Sequence, residues 1–141
     1  MAQQSVVDIA KAQVIAYNEK NWDKVKAGVA PGLVYDELGT QRKVEGVDKV
    51  IDIWKGWAAA MPDSKATFNS EVVSGNTVVL EMTWRGTHKG PLKTSTGEIP
   101  ATGKNFELRA CQVVEVSNDK VKSVRHYFDM GSLLRQLGVE H

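Results

Sequence analysis

Two titratable side chains stand where their neighbours along the chain are apolar, and either can carry a proton. Glu37 lies in the segment 33–38, where a strand would turn Tyr35 and Glu37 to one side and Asp36 to the other. A carboxylate turned inward loses its water, which raises its pKa toward the range in which it accepts a proton near neutrality. The same residue, one position before Leu38-Gly39, also reads as a solvated glutamate at a loop edge, and a one-residue slip would exchange it with Asp36. His126 alternates with Val124 and Phe128, against Ser123, Arg125 and Tyr127. An imidazole there serves as base, acid or hydrogen-bond donor near pH 7, or is a core histidine held by one polar partner.

Other side chains shape a pocket. Val78, Leu80, Met82 and Trp84 share one face of a strand, opposite Thr77, Val79, Glu81, Thr83 and Arg85, so Met82 and Trp84 are expected in a cavity wall. On the next strand Gln112 is the single polar member of the face Phe106, Leu108, Ala110, Gln112 and Val114, and a buried glutamine satisfied by backbone fits the position equally. Tyr17, Trp54 and Trp57 approach from helices, where aromatic stripes at this spacing serve as core or as ligand wall. Cys111 faces the other way from Gln112, with no base nearby to make it a nucleophile. With one cysteine, scattered His88, His126 and His141, and no HxxxH or acidic cluster, neither a disulfide framework nor a metal site is expected. His141 reads as the stub of a tag and is given no role.

The elements that must position these groups follow from periodicity. Helices are expected over 5–18 and from near Gly46 to Met61, the second with Val47, Val50, Ile51, Trp54, Trp57, Ala58 and Met61 as its apolar stripe and Pro62 as its stop. Gly56 within it suggests a close backbone contact. Asn21-Trp22-Asp23 opens a short helix ending at 28–31, and 40–45 reads as a polar turn. Strands are expected at 65–73, 77–88, 105–117 and 120–128, joined by turns at 74–76 and 117–119. The stretch 88–104, dense in Gly, Pro, Ser and Thr, reads as an exposed loop with His88 near a pocket mouth or in solvent. Asp129 stands at the N-cap of a last helix carrying Leu133, Leu134 and Leu137.

Helices segregated against an antiparallel sheet make one α+β domain over 1–141, with a cavity between the layers. The 141 residues are 42% hydrophobic and 25% charged, with 18 basic and 17 acidic side chains. That balance argues against disorder, and the lack of a basic block argues against a nucleic-acid partner. No run suits a membrane helix and the start has no signal-peptide pattern, so a cytoplasmic location is expected.

Several segments resemble one family. Tyr35-Asp36-Glu37-Leu38, Gly46 and Met61-Pro62-Asp63 look like the first half of a SnoaL-like polyketide cyclase. Trp84-Arg85-Gly86-Thr87-His88-Lys89-Gly90-Pro91 and Pro100-Ala101-Thr102-Gly103-Lys104 resemble its GTHxGP and PPTGK segments. Tyr127-Phe128-Asp129 and Leu133-Leu134-Arg135-Gln136-Leu137-Gly138 are similar to its YxD and LLxQLG signature, and the likeness spans roughly residues 10–139. The resemblance implies the cone-shaped fold of the nuclear transport factor 2-like and ketosteroid isomerase-like superfamily, often a homodimer through the sheet. It places a pocket-facing carboxylate or amide at Glu37, a catalytic position at His126 and a C-terminal aspartate at Asp129. Gln112 falls near an oxyanion donor of ketosteroid isomerase. Met82 and Trp84 replace the Arg-Asp pair of the related epoxide hydrolases, which removes that chemistry.

Two functions stay open. One is cofactor-free proton transfer on a hydrophobic carbonyl compound, by cyclisation or isomerisation: Glu37 takes an α-proton while His126, Gln112 or Tyr35 donates to the enolate oxygen, with Tyr17, Trp54, Trp57, Met82, Trp84 and Phe128 around the substrate. The other is a non-catalytic dimeric protein that binds a small apolar molecule. Convergence of two or more polar groups on one point of the cavity favours the first.

Overall fold

The computed structural model describes residues 5–139, so His141 and the first residues lie outside it. Ser5 accepts a hydrogen bond from the Asp8 N–H and starts α1 (Val6–Asn18), and Asn21 caps α2 (Trp22–Ala27) in the same way. Then follow β1 (Val29–Glu37), β2 (Arg42–Glu45), α3 (Val47–Ala60), β3 (Lys65–Ser74) and β4 (Thr77–Thr87). A small hairpin, β5 (Leu92–Thr94) and β6 (Gly97–Ile99), precedes β7 (Asn105–Ser117), β8 (Lys120–Phe128) and α4 (Met130–Gln136).

Among the described residues six strands form one sheet in the order β2-β1-β8-β7-β4-β3, parallel only between β1 and β8. The apolar faces of β4, β7 and β8 meet α1 and α3 in the main core, where Leu80, Met82, Val114 and Val124 have no exposure. A second apolar cluster joins Leu92, Phe106, Leu108, Leu133 and Leu137 under the small hairpin and α4. Among the described residues no helix is long and apolar enough to cross a membrane.

The sheet departs from the sequence expectation at three places. β1 starts at Val29, and the register irregularity between Val29 and Val34 accommodates exposed Pro31-Gly32. The expected turn at 40–45 contains strand β2, whose Arg42-Lys43-Val44-Glu45 is mostly exposed and so lacks an apolar alternation to read. The segment 88–104 is not a simple exposed loop, since His88, Gly90 and Leu92 are buried. The Lys89 and Gly90 N–H groups both donate to the Ala60 carbonyl at 3.0 Å, closing the end of α3. His88 is fixed on both sides, its N–H donating to the Lys104 carbonyl and its carbonyl accepting from Gly103. Its Nδ1 meets Thr102, while its enclosed Nε2 has no partner among the described residues.

Two glycines separate the effects of space and strain. A Cβ on Gly90 would lie 2.3 Å from the Ala59 carbonyl oxygen, whereas one on Gly56 meets nothing within 4 Å, so the close contact expected at Gly56 is absent. Gly90→Ala is expected to destabilise by roughly 1–3 kcal/mol. Gly56→Ala is expected to stabilise by up to about 1 kcal/mol through helix propensity. Urea unfolding of both variants checks the pair, and destabilisation by Gly56→Ala would contradict the open site.

Candidate functional site

Strand pairing places three polar side chains in one row on the inner face of the sheet. Glu37 of β1 is the register partner of His126 of β8, which pairs with Gln112 of β7, which pairs with Leu80 of β4. Paired residues turn to the same face, so the three expected polar exceptions become neighbours. Glu37 has no exposure, against the reading as a solvated loop-edge residue, and Asp36 turns to the other face.

The Glu37 carboxylate accepts four hydrogen bonds. Oε2 receives the Tyr35 hydroxyl at 2.8 Å and the Trp57 indole N–H at 2.9 Å. Oε1 receives the Thr40 hydroxyl at 2.5 Å and Arg42 Nη2 at 2.8 Å. Burial alone pushes this carboxyl up, but the Thr40 hydroxyl, the Arg42 charge and the Tyr35 and Trp57 donors together hold it below its usual range. The raised pKa expected from desolvation is therefore corrected. Glu37 is an anion whose lone pairs are occupied, a poor acceptor for a substrate proton.

His126 is nearly enclosed and joins the same network. The Trp84 indole, 3.3 Å from His126 Nε2, can only donate, so Nε2 accepts and the imidazole proton sits on Nδ1. Nδ1–H then donates across 2.8 Å to the Tyr35 oxygen, leaving the Tyr35 proton for Glu37. Every proton from Trp84 through His126 and Tyr35 to Glu37 thus points the same way. Burial drives the His126 pKa down to about 4 against the opposing pull of Glu37, so the ring is neutral at pH 7. Burial and the Glu37 charge push the Tyr35 hydroxyl well up, keeping it protonated.

These groups border a small, partly open cavity of about 70 Å³ between the sheet and the helices. Tyr17, Tyr35, Trp54, Trp57, Trp84, Gln112 and Phe128 line it with Glu37 and His126. Tyr17 packs edge-on against Trp84 and donates to or accepts from Ser64 at 2.7 Å. Burial raises its hydroxyl pKa to about 12. Met82 is not in the wall: it is fully buried in the main core.

Asp129 lies outside the cavity, its side chain 69% exposed and 3.9 Å from Arg135. It occupies the N-cap position of α4 but makes no side-chain capping bond. Its backbone carbonyl accepts from Leu133 instead.

Four participants were not anticipated. Gln13 donates to Gln112 at 2.8 Å, and its place in the apolar spacing of α1, between Ala10 and Tyr17, was a readable signal. Thr40, Arg42 and Ser64 occupy polar turn or edge sequence, which looks the same whether it is solvated or turned inward.

The family described as SnoaL-like polyketide cyclase matches residues 7–137. No curated protein sequence matches the chain. Among solved structures it is similar to wild-type IdmH, a putative polyketide cyclase from Streptomyces antibioticus (TM-score 0.81, 23% identity, 96% of this chain and 100% of that one). It is also similar to a putative SnoaL-like polyketide cyclase from Jannaschia sp. CCS1 (0.81, 14%, 100% and 99%). A hypothetical protein with a ketosteroid isomerase-like fold from Catenulispora acidiphila, in complex with trimethylamine, superposes at 0.79 (16%, 94% and 94%). The fold is therefore the α+β cone of the nuclear transport factor 2-like and ketosteroid isomerase-like proteins.

The neutral state of His126 has a measurable consequence. The unfolded chain takes up this proton below pH 6.5, while the folded chain refuses it until about pH 4. Stability is thus full above pH 6.5 and is expected to fall by about 1.4 kcal/mol per unit on acidification toward pH 4. Glu37, held below its usual range, adds its loss only at lower pH, and buried His88, also shifted down, adds in the upper window. Urea unfolding between pH 7.5 and 4.5 should show a shallower slope for His126→Asn than for the wild type. Equal slopes would mean that His126 is not held neutral.

Proposed function

Because the chain belongs to the SnoaL-like polyketide cyclase family, we propose that it is a cytoplasmic, cofactor-free acid/base enzyme acting on a hydrophobic carbonyl compound, by cyclase or ketosteroid-type isomerase chemistry. The observation that carries the reading is the transverse row of His126 and Gln112 beside an ionised Glu37 in an aromatic cavity. The roles differ from those expected from sequence. His126 Nε2 takes the proton from the carbon next to the carbonyl, because its acceptor site meets only a long 3.3 Å contact from Trp84 whereas Glu37 is saturated.

As Nε2 gains that proton, the Trp84 N–H loses its acceptor and becomes free, with the Gln112 amide, to donate to the enolate oxygen. The positive charge forming on the imidazole is offset by Glu37 through the Tyr35 hydroxyl. His126 then returns the proton, to a different carbon in an isomerisation or to the new alkoxide in a ring closure. A base whose pKa is about 4 removes protons well only from strongly activated carbon, which favours a methylene between two carbonyl groups.

Asp129 and Met82 have no part in this scheme. Tyr17, Trp54, Trp57 and Phe128 provide the apolar walls. A second reading, a non-catalytic pocket of the same fold, is supported by one observation: most polar groups of the cavity satisfy one another without a ligand. We also propose a homodimer through the outer sheet face. That face carries half-buried Cys111 and Val113 and exposed Tyr127 beside the Arg125–Glu115 ion pair at 3.3 Å. Sedimentation at tens of micromolar that shows only the 15.5 kDa species would remove the dimer.

Exchange of the activated protons of a bicyclic 1,3-diketone into heavy water, followed by NMR, tests the chemistry. The rate is expected to rise as pH passes about 4 and then level, tracking neutral His126. His126→Gln should lower it on the order of 10²–10⁴-fold. Glu37→Gln should act more weakly, since Glu37 only stabilises the charge. No exchange above buffer for the wild type would leave the binding-module reading, and loss on Glu37→Gln with none on His126→Gln would reverse the assigned roles.

A further inference from the structure

We propose that Gln13 determines which ligand atom the cavity accepts: it locks the Gln112 amide with its N–H groups toward the cavity, selecting a ligand that presents a neutral carbonyl oxygen there. The proposal rests on reading the cavity as a ligand site and specifies what that site recognises.

Gln13 is 3% exposed on the inner side of α1. Its Nε2 donates to the Ala10 carbonyl at 3.0 Å and to Gln112 Oε1 at 2.8 Å. A backbone carbonyl only accepts, so the Gln13 atom facing Ala10 must be the nitrogen. The second proton of that nitrogen points at Gln112, which has to answer with its oxygen. The Gln112 nitrogen is then left toward the cavity it lines, with no protein partner among the described residues. It is not walled in either, since the enclosed side-chain atom lacking a partner is His88 Nε2.

The donors bonded to the rest of the polar row are engaged. Arg42 and Trp57 are on Glu37, and Trp84 is on His126. The Gln112 N–H groups are therefore the fixed, unoccupied donors of the Glu37–His126–Gln112 row, and a helix residue decides their direction. Gln112 is the register neighbour of His126, so a carbonyl oxygen on the amide brings the adjoining carbon toward the imidazole. Among the described residues no Lys or Arg lines the cavity and Arg42 is held by Glu37, so an anionic ligand would face the Glu37 charge without a free cation.

Two bicyclic probes of similar size test this assignment: 1-indanone, which only accepts, and indole, whose ring N–H only donates. Their affinities are measured by ligand-observed NMR. In Gln13→Glu the new side chain has at most one proton to give, so an oxygen faces Gln112 and the amide turns over. The indanone-to-indole affinity ratio should fall by about tenfold or more relative to the wild type, the weight of one exchanged hydrogen bond. Gln13→Met, which keeps the volume but not the bonds, should shift the ratio the same way by less, and it serves if Gln13→Glu does not fold. An unchanged ratio in a folded variant, or no binding of either probe to the wild type, overturns the assignment. A shifted ratio in a protein that exchanges no diketone protons supports it while removing catalysis. Proton exchange with an unchanged ratio does the reverse.

Discussion

A carboxylate without exposure, surrounded by aromatic rings, is the interaction on which the rest of the site depends. An unpaired charge there would cost several kcal/mol, enough to neutralise it. Glu37 stays ionised because four donors reach it from four places: Tyr35 beside it on β1, Thr40 in the turn, Arg42 on β2 and Trp57 on α3. The β1–β2 hairpin makes this possible, since antiparallel pairing sets Arg42 directly across from Glu37. The edge strand β2 thus delivers a cation to the inner face. Removing any one donor would strand part of the charge, so the turn, the edge strand and α3 are held in place by the same requirement.

Orientation spreads outward from groups that have no choice. The Trp84 indole nitrogen can only donate, and the Ala10 carbonyl can only accept. Between them lie groups that could each point two ways: an imidazole with two tautomers, a hydroxyl with one proton, and two amides that can flip. Trp84 fixes the His126 tautomer, His126 fixes the Tyr35 proton, and that proton falls on Glu37. From the other side Ala10 fixes Gln13, and Gln13 fixes Gln112. The two series meet on neighbouring strands, one passing through the His126 acceptor and the other ending on the Gln112 donor. Proton abstraction next to a carbonyl needs that juxtaposition.

Much of this is legible in the amino-acid sequence. Alternation along β4, β7 and β8 assigned inner and outer faces correctly, because each strand buries one side against the helices and leaves the other open. Glu37, His126 and Gln112 stood out as polar exceptions on those faces. Their mutual contact was not legible, since it depends on register across β1, β8 and β7, which a single strand's pattern does not contain. The sign of the Glu37 shift was misjudged for the same reason: burial was readable, but Thr40 and Arg42 sit in polar sequence that looks solvated. The segment 88–104 misled in the opposite direction. Its glycines and prolines signal a loop, yet Gly90 is there to let the backbone press against the end of α3, and Leu92 fills the second core. Met82 followed the inward pattern and still missed the cavity, because facing inward does not separate core from wall.

The saturated carboxylate also divides two tasks that one group often performs. A buried glutamate acting as base must give up its solvation and keep a lone pair free, which leaves it half satisfied in its resting state. Here the charge is fully bonded and the weakly engaged acceptor is a neutral imidazole, whose only partner at Nε2 is the Trp84 indole at 3.3 Å and whose burial costs far less. The anion then lies one hydroxyl away from the place where positive charge would develop, and Tyr35 bridges the gap with bonds of 2.8 Å on both sides. This arrangement lowers the cost of forming the imidazolium without collapsing into a direct ion pair, which would hold His126 protonated and useless as an acceptor. Burial keeps the ring neutral in the resting protein, and the Tyr35 bridge leaves Glu37 near enough to stabilise it once charged.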